Sequence, residues 1–165
     1  MFTIKRIVVT TDFSDFSIAA LEYAFSLATV HEASVHLLHV VDVKQWHGIH
    51  KGGKSSIAAL EQAARSSMQT FINDTVDEYT VVTPVIRCGV PADEIAQYAR
   101  EESIDLIVMA THGRTGLAHA LIGSIAESVI RCSTVPVFVV KPTAVIEKLI
   151  TEDDITRDLH LGGEG

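Results

Sequence analysis

Short runs of β-branched and other apolar residues alternate along the chain with longer segments in which apolar residues recur every three or four positions. The runs predict buried strands, and the recurring positions predict amphipathic helices. Five strands are expected: Ile4–Thr10, Ser34–Val41, Val81–Ile86, Asp105–Ala110 and Val135–Val140. Four helices are expected: Ser17–His31, a segment with Ile57, Leu60, Ala64, Met68 and Phe71 on one face, a helix opened by Pro91, and a helix that starts near Ser124. This alternation predicts right-handed βαβ crossovers and a parallel sheet covered by helices on both faces.

Two prolines indicate the order of the strands. Proline is tolerated in sheets mainly on edge strands, and Pro84 and Pro136 lie in the third and fifth predicted strands. The middle of the fourth strand contains no charged or structure-breaking residue, which favours a central position. We therefore predict an α/β fold with an open five-stranded parallel sheet in the order 3-2-1-4-5. A fifth strand that starts at Pro136 would accommodate that proline equally well.

The predicted order places the topological switch point of the sheet between strands one and four. Open α/β sheets bind ligands at that point, outside the carboxyl ends of the strands. Two loops meet there, Thr11–Asp15 and Thr111–Ser124. Gly123 and Ser124 open a helix, whose free N–H groups and dipole suit a phosphate. Ser124 and Glu127 also form the S-x-x-E pattern of a capping box, so a purely structural connection explains the same residues.

Asp12 follows the first strand and faces the same crevice. Its carboxylate could accept hydrogen bonds from a sugar hydroxyl or hold a cation near phosphates. An Asx turn or the start of the first helix is the structural alternative for this residue. Ser14 is expected to be the N-cap of that helix rather than a ligand contact.

The composition narrows the possible partners. The chain has 165 residues, close to one domain, and its 47% hydrophobic and 21% charged residues are typical of a globular protein. Thirteen Lys and Arg against 21 Asp and Glu give a net charge of −8, so nucleic acid and anionic membranes are poor partners. Two cysteines, Cys88 and Cys132, exclude a disulfide scaffold. The N-terminus lacks a signal-peptide pattern and no apolar run is long enough for a membrane span, so we expect a cytoplasmic protein.

Several other activities lack their motifs. The pattern G-x-G-x-x-G does not occur, which argues against a dehydrogenase. A response-regulator receiver would share Asp12, Thr111 and Lys141 but needs an aspartate after strand three, where Arg87-Cys88-Gly89 stands. The eight histidines fit no standard zinc spacing, and hydrogen bonding is the expected role of His36 and His39 in the second strand.

Four segments of Met1–Lys141 resemble the universal stress proteins of the UspA type. They are IVVTTDFSD in the first strand and its loop, HVVD at the end of the second strand, DLIVMATHGRTG, and GSIAESVIRCSTVPVFVVK. ATP-binding members of that family carry the pattern G-x2-G-x9-G-(S/T). Gly113 and Gly123-Ser124 match it with the required spacing, whereas Ala110 replaces the first glycine.

The resemblance implies an adenine-nucleotide-binding, Rossmann-like domain over residues 1–141, followed by a C-terminal tail over residues 142–165. It implies ATP or AMP as ligand, with or without Mg²⁺ or Mn²⁺. It also implies a nucleotide site in which Asp12 contacts the ribose, the backbone of Val41 meets adenine, and a glycine loop cradles the phosphates. The residues expected at that site are Thr11, Asp12, Val41, Ala110, Gly113, Arg114, Gly123 and Ser124, with His112 beside the loop.

ATP is expected to act as a regulatory ligand in a stress response. The chain offers no strong general base or arginine finger, so ATP hydrolysis is expected to be slow at most. The alternative is a nucleotide-free module of the same family that binds a protein partner, and Ala110 is the residue that favours it.

The fifth strand predicts a homodimer. Val135–Val140 is apolar, yet the predicted order places it at the edge of the sheet, where free backbone groups favour pairing with another chain. The resemblance agrees, because universal stress proteins commonly dimerise through this strand. The competing interpretation is that the tail over Thr143–Leu161 folds back and covers the edge within one chain.

Overall fold

The computed structural model describes residues 3–44, 54–78, 80–111 and 122–141. The strands are β1 (Arg6–Thr10), β2 (Ser34–Asp42), β3 (Val82–Gly89), β4 (Leu106–Ala110) and β5 (Val137–Val140). The helices are α1 (Asp15–His31), α2 (Lys54–Thr75), α3 (Pro91–Glu101) and α4 (Ser124–Cys132). Every predicted strand and helix is present, with boundaries that differ by a few residues.

The five strands form one parallel sheet in the order β3-β2-β1-β4-β5, which confirms the predicted topology. β1 lies at the centre, and Ile7 stands opposite Val35 of β2 and Leu106 of β4. The middle residues of β1 and β4 are completely buried. Apolar side chains on both faces of these strands therefore reflect helices packed on both faces of the sheet.

Two pairs of helices cover the two faces of the sheet. α1 and α2 pack on one side, where Leu21 and Phe71 join a core cluster that includes Val9 and Val108. α3 and α4 pack on the other side, where Ile95 and Val129 join Val8, Leu38 and Ile107. The predicted apolar face of α2 is correct, since Ala64, Met68 and Phe71 are buried.

The edge strands differ from the prediction in detail. Pro84 lies inside β3, an edge strand, as expected. Pro136 lies just before β5, where its carbonyl accepts a hydrogen bond from the Ile107 amide at 3.0 Å. β3 also continues through Gly89, beyond the predicted end at Ile86, because β2 extends to Asp42 and supplies ladder partners for the additional residues.

Candidate functional site

The carboxyl ends of β1 and β4 lie side by side, and the chain leaves them in opposite directions. β1 continues to α1 on one face of the sheet, and β4 leads to α4 on the other face. The predicted switch point therefore lies between these two strands, and open α/β sheets bind ligands outside the carboxyl ends of the strands at such a point. The described residues of the predicted site lie on the elements that border this edge.

Thr11 is buried and its polar groups are engaged inside the protein. Its amide donates to the Leu38 carbonyl of β2 at 2.9 Å. Its hydroxyl oxygen accepts a hydrogen bond from the Phe13 amide at 2.9 Å and lies 2.8 Å from the Ser17 hydroxyl. The Thr11 side chain therefore stabilises the β1–α1 loop. At the predicted nucleotide site, Thr11 would contribute the loop backbone rather than its hydroxyl.

Asp12 is half-buried and belongs to an Asx turn. One carboxylate oxygen, Oδ1, accepts hydrogen bonds from the Ser14 amide at 3.1 Å and from the Ser14 hydroxyl at 2.5 Å. Ser14 occupies the predicted N-cap position of α1, with extended backbone angles (φ −88°, ψ 160°). Its hydroxyl donates to Asp12, however, and does not cap the helix. The turn therefore fixes the orientation of the carboxylate just beyond the end of β1.

Phe13 is a residue of this loop that sequence reasoning did not single out. Its φ of 64° lies in the left-handed region, which aromatic residues rarely adopt. Its ring stacks on His39 with centroids 4.3 Å apart and lies 5.9 Å from the ring of Phe71. His39 Nδ1 lies 2.8 Å from the Thr11 carbonyl oxygen, so that nitrogen carries the donated proton.

The predicted capping box at the start of α4 is wrong. Gly123 is the N-cap (φ −67°, ψ 151°), Ser124 is the first helical residue, and no side chain in the described part of the chain caps the helix. The Glu127 carboxylate pairs with Arg131 at 2.7 Å. The Gly123 amide donates to the Thr111 carbonyl at 2.6 Å, and this hydrogen bond holds Gly123 at the N-cap. The helix therefore begins one residue earlier than a capping box at Ser124 requires.

Ala110 and Thr111 connect the end of the sheet to this helix. Ala110 ends β4 opposite Val140 of β5. Thr111 is buried, and its amide donates to the Val140 carbonyl at 2.8 Å while its own carbonyl accepts from Gly123. The N-terminus of α4 is therefore tied to the carboxyl edge of the sheet. The predicted site residues Gly113 and Arg114, and the neighbouring His112, lie outside the described residues.

Val41 lies near the end of β2, on the same face as His39 and opposite Cys88 of β3. Burial raises the pKa of the Cys88 thiol, and the nearby carboxylates of Glu61 and Glu94 raise it further. The thiol therefore stays protonated, as expected of a packing residue rather than a nucleophile.

Across residues 3–44, 54–78, 80–111 and 122–141, no group of three or more His, Cys, Asp or Glu side chains could hold a metal ion.

Comparison with known proteins identifies the family. Residues 3–141 match the model of the universal stress protein family. The chain is 36% identical over 140 residues to universal stress protein MJ0531 of Methanocaldococcus jannaschii. The matched segment covers 83% of this chain and 82% of that relative. The structure of MJ0577 from the same organism superimposes with a TM-score of 0.74 at 33% identity and covers 85% of this chain and 97% of MJ0577. The chain belongs to the universal stress protein family.

A more distant structural relative is a universal stress protein that was solved in complex with cAMP. It has a TM-score of 0.55 and 24% identity, and the match covers 84% of this chain and 98% of that one. This similarity concerns the fold.

None of the helices in the described ranges has the length and apolar character needed to cross a membrane.

Proposed function

We propose that this universal stress protein binds ATP or AMP as a regulatory ligand in the crevice between β1 and β4, and that it does so in the cytoplasm during a stress response. One observation carries the proposal. A carboxylate held by an Asx turn and a helix N-terminus without a side-chain cap in the described residues border the same edge of the sheet. These two features suit the ribose and the phosphates of a nucleotide.

The phosphates would lie at the start of α4. A helix N-terminus carries partial positive charge and N–H groups that point outward along the helix axis. Gly123 brings no side chain to this position, and Ser124 adds a hydroxyl in the first turn. The resemblance to ATP-binding members assigns Gly113 and Arg114 to the same cradle, with Ala110 in place of a glycine.

The ribose and the base would lie toward β1 and β2. Asp12 borders the crevice beside Thr11, and its carboxylate can accept a hydrogen bond from a ribose hydroxyl. The backbone of Val41, on the neighbouring strand, is the predicted contact for adenine. The distant relative in complex with cAMP supports an adenine nucleotide as the class of ligand for this fold.

ATP would act as a bound signal with slow hydrolysis at most. The protein carries a net charge of −8, so a highly charged anion needs local compensation. Mg²⁺ or Mn²⁺ bound with the nucleotide would provide part of it by neutralising the phosphates. Asp12 is a carboxylate at this edge and would supply an oxygen ligand, which suits these cations.

Mass spectrometry and titration test the proposal together. Protein purified without added nucleotide and then denatured is expected to release ATP or AMP. Gly123→Val is expected to lose measurable ATP binding by calorimetry, because a branched side chain would cover the helix N-terminus. The variant should retain its circular dichroism spectrum, since φ −67° suits any residue and Val90 already occupies the N-cap of α3.

Two outcomes would contradict this function. Wild-type protein that carries no nucleotide and binds no added ATP would favour the alternative, a module that binds a protein partner. An ATP dissociation constant unchanged by Gly123→Val would remove the phosphate cradle from α4 and leave the binding itself to another site.

We also propose a homodimer that forms through β5. β5 is an edge strand, and none of the strands in the described part of the chain pairs with its outer side. Phe138 is 39% exposed on this strand, and its ring lies 5.8 Å from that of Tyr23, which is 53% exposed on α1. An apolar edge of this kind is suited to twofold pairing with a second copy. The tail that could compete for the edge, residues 142–165, lies outside the described residues.

A further inference from the structure

Phe13 adopts a backbone conformation that its residue type disfavours. Its φ of 64° lies in the left-handed region, where a side chain approaches the backbone closely. Residues other than glycine, asparagine and aspartate keep such a conformation only where their surroundings hold it, and these positions cluster at functional sites. Phe13 lies between Asp12 and Ser14, at the crevice to which the proposed function assigns the nucleotide.

Contacts from three elements hold Phe13 in this conformation. Its ring is stacked on His39 of β2 and tilted against Phe71 of α2. Its amide donates to the buried hydroxyl of Thr11, which is also hydrogen-bonded to Ser17 of α1. We call Phe13, His39 and the Thr11–Ser17 hydroxyl pair the loop clamp.

His39 contacts both Phe13 and Thr11 within the loop clamp. Its ring supports the Phe13 ring, and its Nδ1 donates to the Thr11 carbonyl at 2.8 Å. The same side chain therefore contacts the residue before Asp12 and the residue after it. Loss of His39 should release both of these neighbours together.

We propose that Phe13 and His39 are positioning residues for nucleotide binding and act through Asp12. The left-handed turn at Phe13 directs the Ser14 amide and hydroxyl back toward Asp12, where both donate to Oδ1. The loop clamp thereby fixes the carboxylate before any ligand arrives, and such pre-organisation improves affinity by reducing the ordering that binding requires. This inference rests on the proposed function.

The test combines a double-mutant cycle with a control in the same core. Phe13→Gly keeps the left-handed backbone accessible but removes the ring. We expect it, and likewise His39→Ala, to weaken ATP binding by about tenfold, because the loop must then be ordered on binding. In an Asp12→Ala background the same changes should alter affinity by less than about twofold, since residues that act through one partner are not additive. Met68→Ala, a buried change on α2, should lower the melting temperature and leave ATP affinity unchanged.

Amide hydrogen exchange at Ser14 gives a readout that does not depend on ATP. The Ser14 amide donates to Asp12, so Phe13→Gly should speed its exchange in the nucleotide-free protein, whereas Met68→Ala should leave it protected. Unchanged Ser14 exchange, unchanged ATP affinity, or an equal loss of affinity in both Asp12 backgrounds would each overturn the inference. Wild-type protein that binds no ATP would overturn the proposed function instead, and Ser14 exchange would still decide whether Phe13 and His39 set the Asp12 turn.

Discussion

Asp12 has a structural role in the β1–α1 loop, beside the ligand contact that we propose for it. The sequence allowed either an Asx turn or a ligand contact at this position, and the structure confirms the turn through Ser14. The bonds to Ser14 use Oδ1 of the carboxylate. A carboxylate has about four acceptor sites on its two oxygens, and the two bonds from Ser14 restrict its orientation.

Removal of the Asp12 carboxylate should therefore weaken ATP binding. Asp12→Ala is expected to cost about 1–3 kcal/mol of binding free energy, the usual range for a lost hydrogen bond to a charged group. Calorimetric titration with ATP measures this change. Asp15→Ala is the matched control, because it removes the same charge from an exposed position in the first turn of α1. Equal affinity in Asp12→Ala and the wild type would leave Asp12 with the turn alone.

At the residue scale, the sequence predicted the local structure of the candidate site only in part. It pointed to the loops that contain Asp12 and Gly123, because glycine and acidic residues follow strands there. It misplaced the cap of α4, since the S-x-x-E pattern contains no information about the tertiary hydrogen bond from Gly123 to Thr111. It also gave no sign of the left-handed Phe13, because that conformation depends on rings from β2 and α2 that are distant in sequence.

At the scale of elements, a polar contact joins β2 to α3 on the face of the sheet opposite α1. His36 Nδ1 lies 2.6 Å from the hydroxyl of Tyr98, and the Arg87 guanidinium lies 5.2 Å from the centre of the Tyr98 ring. Burial lowers the pKa of His36 and raises the pKa of Tyr98. Both groups are therefore neutral near pH 7. The 2.6 Å contact confirms the expectation that His36 is engaged in a hydrogen bond.

This pKa shift predicts how His36 contributes to stability. Burial lowers the pKa of His36 below its ordinary value of 6.5, with Arg6 acting in the same direction and Glu102 against it. The unfolded chain then binds more protons than the folded protein just below pH 6.5, so the stabilisation present above pH 6.5 is lost as the pH falls toward the folded-state pKa. The melting-temperature difference between wild type and His36→Gln should be larger at about pH 7.5 than at about pH 5.5, because only the wild type carries this titration.

One control accompanies the His36 measurement. Between about pH 7.5 and pH 8.5 the difference should be constant, because histidine is neutral in both the folded and unfolded states there. A difference that grows as the pH falls below 6.5 would mean that folding raises the pKa of His36 and would contradict the prediction.

The order of the elements was predictable because it follows from local patterns. The charge-free middle of β4 favoured a central position, and a proline inside a strand indicates an edge, which fits Pro84 in β3. The ends of the strands were less predictable. β3 continues past Ile86 because β2 offers partners as far as Asp42, and that extension depends on the pairing of the two strands rather than on either segment alone.

At the scale of the whole molecule, the two edges of the sheet differ in ways that matter for assembly. β3 closes one edge and carries Pro84, which removes a backbone donor. β5 closes the other edge with four apolar residues, of which Phe138 is exposed. Association through β5 would bring together two subunits that each carry a net charge of −8, so apolar contact and backbone pairing must outweigh their repulsion.

A charge on the exposed side of β5 should therefore dissociate the dimer. Light scattering on the full-length protein at about micromolar concentration is expected to give twice the subunit mass of 17.9 kDa. Phe138→Lys should give the mass of a single subunit, because lysine on an edge strand opposes pairing. Val139 is unsuitable for this change, since its side chain packs against the core beneath α4. Val81→Lys, at a position that is 87% exposed beside the opposite edge, should remain a dimer. A wild-type protein with the mass of one subunit would reject pairing through β5 and favour coverage of that edge by residues 142–165 of the same chain.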